Sequence, residues 1–139
     1  MSFQEKRAWI YAVITACVPA VYFALILGRA RSTDVAEVAY IGPMLTAIVV
    51  AIVVNIVAEI FAGMASPKDA GRKDERDTQI SRRGERVEYY VLVAGVIAAL
   101  GLTMVELDYF WIANAIYGAF TLSSLFGAVA RIVAYRRGL

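Results

Sequence analysis

One carboxylate in this sequence lies inside a hydrophobic segment. Glu59 follows 21 uncharged residues, Val38 to Ala58, and Ala65, where the segment ends, comes six positions later. A helical rise of 1.5 Å per residue puts Glu59 roughly 9 Å inside that end. An unpaired charge costs about 2.5–3.5 kcal/mol at the bilayer centre and less near its edge, so this carboxylate needs a partner or a proton. Two interpretations stay open: a structural ion pair or hydrogen bond, and a site for protons or cations.

Candidate partners of Glu59 follow from small and polar residues that recur every four positions in two hydrophobic segments. Small residues let membrane helices approach closely, and polar ones hydrogen-bond across the contact. The two stripes are Ala47, Ala51, Asn55, Glu59 and Gly63, and Ala115, Ala119, Ser123, Gly127 and Arg131. They predict a close contact between the second and fourth helices, with Arg131 within reach of Glu59. Other expected donors at that depth are Tyr11, Tyr89 and Tyr90, with Asn55 one turn away on the stripe itself.

Asn114 is a second polar residue within a hydrophobic segment, near the start of the fourth. A lone asparagine in a membrane helix more often bonds a neighbouring helix than a ligand. We therefore expect Asn114 to hold two helices together.

A charged run, Lys73 to Ile80, is the other place where side chains could do chemistry. Carboxylates such as those of Asp74, Glu75 and Asp77 bind divalent cations through oxygen, but the spacing is not that of a calcium loop. The interleaved bases Lys73 and Arg76 would neutralise the acids, so a solvated helix with local ion pairs is the expected structure.

The sequence contains no other group of residues that indicates catalysis or the binding of a metal or cofactor. The chain lacks histidine, the commonest metal and haem ligand, and its single cysteine, Cys17, lies in a hydrophobic segment. No nucleophile–base or paired-carboxylate arrangement occurs in the polar segments. We expect no enzymatic activity, no metal and no cofactor.

The elements that must position these residues are four long uncharged stretches: Ala8–Leu27, Val38–Ala58, Tyr89–Val105 and Tyr109–Ala130. A bilayer core of about 30 Å needs around 20 helical residues, and none of the four shows a polar stripe typical of a soluble helix. The 139 residues therefore predict one all-α domain, an integral membrane four-helix bundle. Its helices are expected at about 8–27, 38–65, 87–105 and 109–134, with a polar loop at 66–88.

The distribution of basic residues predicts the orientation of these helices. Twelve of the fourteen bases lie in three places: before the first helix, between the second and third helices, and after the fourth uncharged stretch. Only Arg29 and Arg31 fall in the first connection, and the third connection has none. By the positive-inside rule both termini and the 66–88 loop face the cytoplasm.

The polar segment 66–88 contains signals of helix formation. Ser66 and Pro67, with Asp69 three residues after the serine, resemble a helix start, and Asp69, Lys73 and Asp77 follow at four-residue spacing. We expect this segment to be partly helical and to run into the third helix, with Gly84 as its weak point. Its seven bases and six acids nearly balance, which argues against direct nucleic-acid binding.

The stretch KDERDTQISRRGERVEYYVL, Lys73 to Leu92, resembles the signature D-E-R-D…I…G-E-R…Y-Y-V of a family of small prokaryotic four-span membrane proteins of uncharacterised activity. In that family the motif lies on the inner loop before the third span. Its members are often encoded beside small helix-turn-helix regulators. The resemblance implies a prokaryotic inner-membrane location and a cytoplasmic protein partner, and it implies no catalytic residue.

The sequence thus favours a regulatory or interaction protein that contacts its partner through the cytoplasmic loop. The loop residues expected to do so are Asp74, Glu75, Arg76, Asp77, Ile80, Arg83, Glu85 and Arg86. The alternative is a small transporter or channel, working as a homo-oligomer in the lipid bilayer, that uses the intramembrane Glu59.

Overall fold

The computed structural model describes residues 2–69 and 71–138, which form four long helices. These are α1 (Phe3–Ser32), α2 (Ile41–Ala65), α3 (Glu75–Met104) and α4 (Tyr109–Arg137), with a short 3-10 turn at Val35–Glu37 between the first two. No strand occurs in the described ranges. All four helices are long and apolar enough to cross a membrane, so the all-α class and the four membrane-length helices are confirmed.

The third helix begins twelve residues earlier than the predicted start at residue 87. Asp74 caps it: its Oδ1 accepts from the Asp77 backbone N–H at 2.7 Å, while Asp77 Oδ2 accepts from the Asp74 N–H at 3.2 Å. This reciprocal capping box satisfies two donors that a helix start leaves without partners. The sequence pattern predicts a helix start at Ser66 instead, and that prediction is wrong. Ser66 ends α2, where its N–H donates to the Ala62 carbonyl.

The predicted polar loop is therefore mostly an extension of α3. Residues 75–88 are continuous in one helix with the uncharged stretch that starts at Tyr89. At 1.5 Å per residue, this extension is about 21 Å long. The expectation that the segment runs into the third helix without a break is confirmed.

The helices pack in the order α2, α1, α4, α3. The most extensive contact is the antiparallel hairpin of α3 and α4, followed by α1 with α4 and α1 with α2. The predicted close contact between α2 and α4 is wrong, because the small-residue stripe of α4 packs against α3. A Cβ added at Gly95 of α3 would overlap Ala119, and one at Gly127 of α4 would overlap the Glu88 side chain. Helices α2 and α3 make at most marginal contact, so packing does not close the ring of four helices.

Two apolar clusters hold the helices together, one at each end of the bundle. The first joins Tyr22, Ile26, Val38, Ala47, Phe110 and Tyr117. The second is built from Ala8, Ala12, Ala128 and Ile132, where α1 and α4 approach closely through alanine. Most large apolar side chains of α2 and α3 are exposed, and Ala47 is the only buried residue of α2. That distribution is typical of helices whose outer faces contact lipid tails.

Candidate functional site

The polar side chains collect at one end of the bundle, which we call the charged end. It comprises the start of α1, the end of α2, the start of α3 and the end of α4. Three ion pairs lie there, Arg7–Glu59, Arg131–Glu88 and Arg136–Glu5, and each joins two different helices.

Glu59 pairs with Arg7 of α1. Arg7 Nη2 lies 2.5 Å from Glu59 Oε2, and Arg7 Nε donates to Glu59 Oε1 at 3.1 Å, so the guanidinium grips both carboxylate oxygens. Arg7 Nη1 also donates to Gln4 Oε1 at 3.2 Å. The side chains keep 36% and 49% of their surface exposed, which makes this pair accessible to solvent or headgroups.

Arg7 was not among the predicted partners of Glu59, and those predictions are wrong: Tyr11 lines the same cavity as Glu59 but makes no hydrogen bond to it. Arg131 pairs elsewhere, Asn55 donates to the Ala51 carbonyl of its own helix at 2.8 Å, and Tyr89 and Tyr90 point outward with about two-thirds of their surface exposed. The order of the helices along the chain indicates Arg7 as a partner of Glu59. A short connection makes α1 and α2 antiparallel neighbours, and Arg7 is the last charge before the first uncharged stretch.

Arg131 holds the α3–α4 hairpin together. Its Nη1 lies 2.8 Å from Glu88 Oε1, and both side chains are mostly buried. Ser123 Oγ donates to the Glu88 backbone carbonyl at 2.7 Å. The guanidinium lies over Gly84, where no side chain interferes. The absence of a side chain at position 84 makes room for this contact, and α3 continues through Gly84 without a break.

The third ion pair joins the start of α1 to the end of α4. Arg136 Nε is 2.9 Å from Oε1 of Glu5, which is buried, while Arg136 is exposed. The contact is Coulombic and lacks hydrogen-bond geometry, since Glu5 Oε1 has no hydrogen-bond partner among the described residues. Burial of a carboxylate requires compensation, and Arg136 supplies it. Neither residue was singled out from the sequence.

The first turns of α3 are fastened to α4 along one face. Tyr135 Oη donates to Asp77 Oδ1 at 2.7 Å, and Arg76 Nη2 donates to the Tyr135 carbonyl at 3.2 Å. Ile80, one turn later, is 1% exposed. This face of α3 therefore belongs to the bundle and is not free to bind a partner.

The opposite face of the same segment is exposed. Among the predicted partner-binding residues, Glu75, Arg83, Glu85 and Arg86 are on this surface, whereas Asp77 and Ile80 turn inward and Asp74 caps the helix. Arg76 is also exposed but is engaged with Tyr135. The outward face further includes Gln79 and Arg82, which the sequence analysis did not select.

A polar cavity of about 330 Å³, which we call the vestibule, lies between the helices at the charged end and opens to the surface. The residues that carry its charge are Arg7, Glu59, Lys73, Glu88 and Arg131. Tyr11, Ser81 and Tyr135 also line it, and its apolar floor includes Ala8, Ile80 and Ala128. Three bases against two acids leave a formal charge of +1. Among the described residues, no group of three or more acidic or cysteine side chains could hold a metal ion.

Asn114 lies away from the vestibule and joins α1 to α4. Its Oδ1 accepts from Tyr22 Oη at 2.6 Å, and its Nδ2 donates to the Phe110 carbonyl at 2.8 Å. Rings of Tyr22 and Tyr117 meet edge to face beside it, with centroids 4.8 Å apart. Asn114 therefore sits in a packed contact between helices.

No protein-family model, curated protein or solved structure matches this chain. Its site must therefore be interpreted from the arrangement of its own residues. That arrangement is a charged end with three interhelical ion pairs, a polar vestibule and an exposed helical face.

Proposed function

We propose that this protein is a membrane-embedded regulatory or interaction protein that binds a cytoplasmic protein through the outward face of residues 75–88. The observation that carries the proposal is the two-sided character of this segment. One face is fastened to α4 through Asp77 and Tyr135, and the other presents Gln79, Arg82, Arg83 and Arg86.

A helix held in this way is preorganised for binding. A partner would not have to order a loose loop, and the cost of such ordering is one of the main terms that lower affinity. The segment is also one continuous helix with the apolar part of α3. A force or tilt applied at the outward face would therefore reach the membrane part of the helix directly.

The charge of the outward face indicates the chemistry of the partner. Arg82, Arg83 and Arg86 are exposed together with Glu75 and Glu85, so the face is mixed, with an excess of one base. A protein surface with an acidic patch would complement it, and such complementarity gives specificity and a fast association rate. The resemblance of Lys73–Leu92 to the four-span family signature favours a small helix-turn-helix regulator as this partner.

The proposal needs the charged end to face the cytoplasm of a prokaryotic cell. The positive-inside rule supports this orientation, because twelve bases lie at the charged end and two at the other. In a Cys17→Ser background, a single cysteine at position 79 should resist an impermeant maleimide in intact cells, and one at Thr33 should react. The opposite pattern would refute the orientation.

Partner binding is tested by charge reversal on the outward face. Arg82→Glu with Arg86→Glu should abolish co-purification of the cytoplasmic partner captured by a photo-crosslinker at position 79. The matched control is Arg29→Glu with Arg31→Glu, which makes the same change in charge at the opposite end. If both double variants keep the cross-linked partner, or both lose it, the outward face is not the binding surface.

A transporter or channel is the second candidate, and a second cavity favours it. This cavity of about 270 Å³ lies deeper in the bundle and is lined in part by Thr15, Asn55, Thr121 and Ser124. Tyr11 lines both this cavity and the vestibule, so polar groups follow one another inward from the charged end.

The Arg7–Glu59 ion pair makes transport the less favoured function, because the only carboxylate within the hydrophobic segment already has a basic partner. Proton or cation flux in liposomes decides the question. Flux that disappears in Glu59→Gln while thermal stability stays unchanged would favour transport over the interaction function. Absence of flux in the unmodified protein would rule transport out.

A further inference from the structure

We propose that the vestibule binds the phosphate group of an anionic phospholipid whose acyl chains lie between α2 and α3. This site is separate from the outward face of α3, and neither proposal requires the other.

The vestibule is lined by two helices that do not close against each other. Glu59 of α2 and Glu88 of α3 both line it, yet these two helices make at most marginal contact with one another. Side chains on the outer faces of both helices are apolar and exposed, as are Ile60 and Val93. A lipid lying between α2 and α3 would bring its headgroup to the vestibule and leave its chains against apolar surface.

Two bases of the vestibule, Arg7 and Arg131, lie where uncharged stretches end, and Lys73 reaches toward them from the start of the α3 extension, with its Nζ at Ser81. Arg7 directly precedes the uncharged stretch that begins at Ala8, and Arg131 directly follows the one that ends at Ala130. Both therefore mark the level at which the apolar part of the bundle ends. Basic pockets between membrane helices at this level are suited to anionic headgroups.

Three side chains of the vestibule have further donors to offer a phosphate. Lys73 takes part in none of the ion pairs found in residues 2–69 and 71–138, and its Nζ donates only to Ser81 Oγ, at 3.0 Å. Arg131 uses Nη1 for Glu88, which leaves the other guanidinium N–H groups. Tyr11 contributes a phenolic hydroxyl to the cavity wall.

The charge of the vestibule selects a monoanion. Both carboxylates are paired with arginines, so the formal excess of +1 resides with Lys73. A phosphodiester carries a single negative charge and offers oxygens that accept from lysine and arginine. A zwitterionic headgroup adds an ammonium group, and both carboxylates of the vestibule are already paired with arginines.

The test measures retained lipid on the full-length protein by native mass spectrometry after extraction into a mild detergent. Purified protein is incubated with equal amounts of phosphatidylglycerol and phosphatidylcholine. We expect preferential retention of phosphatidylglycerol, and a loss of about fivefold in that preference for Lys73→Gln, in line with the contribution of one base near an anionic surface. Arg72→Gln is the matched control, since it removes the same charge at the neighbouring exposed position and should retain the preference.

Tyr11→Phe supplies a second variant that keeps the shape of the cavity and removes only a hydroxyl donor. It should lower the phosphatidylglycerol preference while Tyr109→Phe, at an exposed tyrosine outside the vestibule, does not. Equal retention of both lipids by the unmodified protein would overturn the proposal. Equal losses in Lys73→Gln and Arg72→Gln would overturn it too, because only the net charge would then matter. Displacement of the lipid by millimolar inorganic phosphate would show that the site takes a free phosphate compound instead.

Discussion

Arg131 of α4 lies directly over Gly84 of α3. A Cβ built on Gly84 would stand 2.5 Å from Arg131 Nε and 2.7 Å from its Cγ, well inside van der Waals contact. The glycine thereby lets the arginine side chain lie against the neighbouring helix on its way to Glu88. The close packing of α3 and α4 at Gly84 and the Arg131–Glu88 ion pair therefore involve the same arginine side chain.

Gly84→Ala should therefore destabilise the protein. Overpacking costs typically 1–3 kcal/mol, which exceeds the gain of about 1 kcal/mol that alanine brings to a helix interior. Gly101→Ala is the control in the same helix, because nothing lies within 4 Å of a Cβ there. Thermal unfolding in detergent should show a lower Tm for Gly84→Ala and an equal or higher Tm for Gly101→Ala. A higher Tm for both would mean that Arg131 moves aside without cost.

The pairing of the helices shows where sequence reasoning reaches its limit. Uncharged stretches locate four membrane-length helices because hydrophobicity and length are local properties. The stripe of Ala119, Ser123 and Gly127 correctly marks a contact surface, but small residues at regular spacing do not identify the helix that packs there. In the structure the helix that packs there is α3, which contacts the stripe through Gly95 and Glu88.

The partner of Glu59 was missed for a related reason. Depth along a helix follows from residue number, and it places Arg131 and Glu59 near the same level. The direction around the helix axis depends on packing, which brings α2 against α1 and hence Glu59 against Arg7. The start of α3 was missed because the capping box uses Asp74 and Asp77 in place of the serine or threonine that was sought.

The two arginine pairs should differ in their energetic coupling. Arg7–Glu59 is more exposed, so a double-mutant cycle with Arg7→Gln and Glu59→Gln should give a coupling of about 0.2–1 kcal/mol. Arg131–Glu88 is more buried, and removing one member leaves a charge in a poorly solvated place. Arg131→Gln should therefore lower the Tm more than Arg7→Gln. Equal effects in unfolding scans would show that burial does not separate the two pairs.

Tyr135→Phe should loosen the first turns of α3. The tyrosine hydroxyl donates to the Asp77 carboxylate at 2.7 Å, and hydrogen bonds to charged groups contribute about 1.5–3 kcal/mol. Amide hydrogen exchange in residues 75–81 should accelerate while exchange near Ala99 stays unchanged. Tyr109→Phe is the control, because Tyr109 is 82% exposed. Unchanged exchange in Tyr135→Phe would show that Ile80, the capping box and the bond from Arg76 to the Tyr135 carbonyl hold the extension of α3 without the tyrosine hydroxyl.

The contact between Tyr22 and Asn114 should contribute measurably to the docking of α1 on α4. Tyr22 Oη donates to Asn114 Oδ1 at 2.6 Å, and Asn114 also donates to the Phe110 carbonyl of its own helix. Tyr22→Phe removes the interhelical bond and keeps the edge-to-face packing on Tyr117, whereas Asn114→Ala removes both hydrogen bonds. Interhelical hydrogen bonds in membranes average about 0.6 kcal/mol, so Tyr22→Phe should lower stability by about that amount. In a double-mutant cycle scored by unfolding in detergent, the two changes should be non-additive, because each removes the same bond. Full additivity would mean that the ring packing, and not the hydrogen bond, joins α1 to α4 at this level.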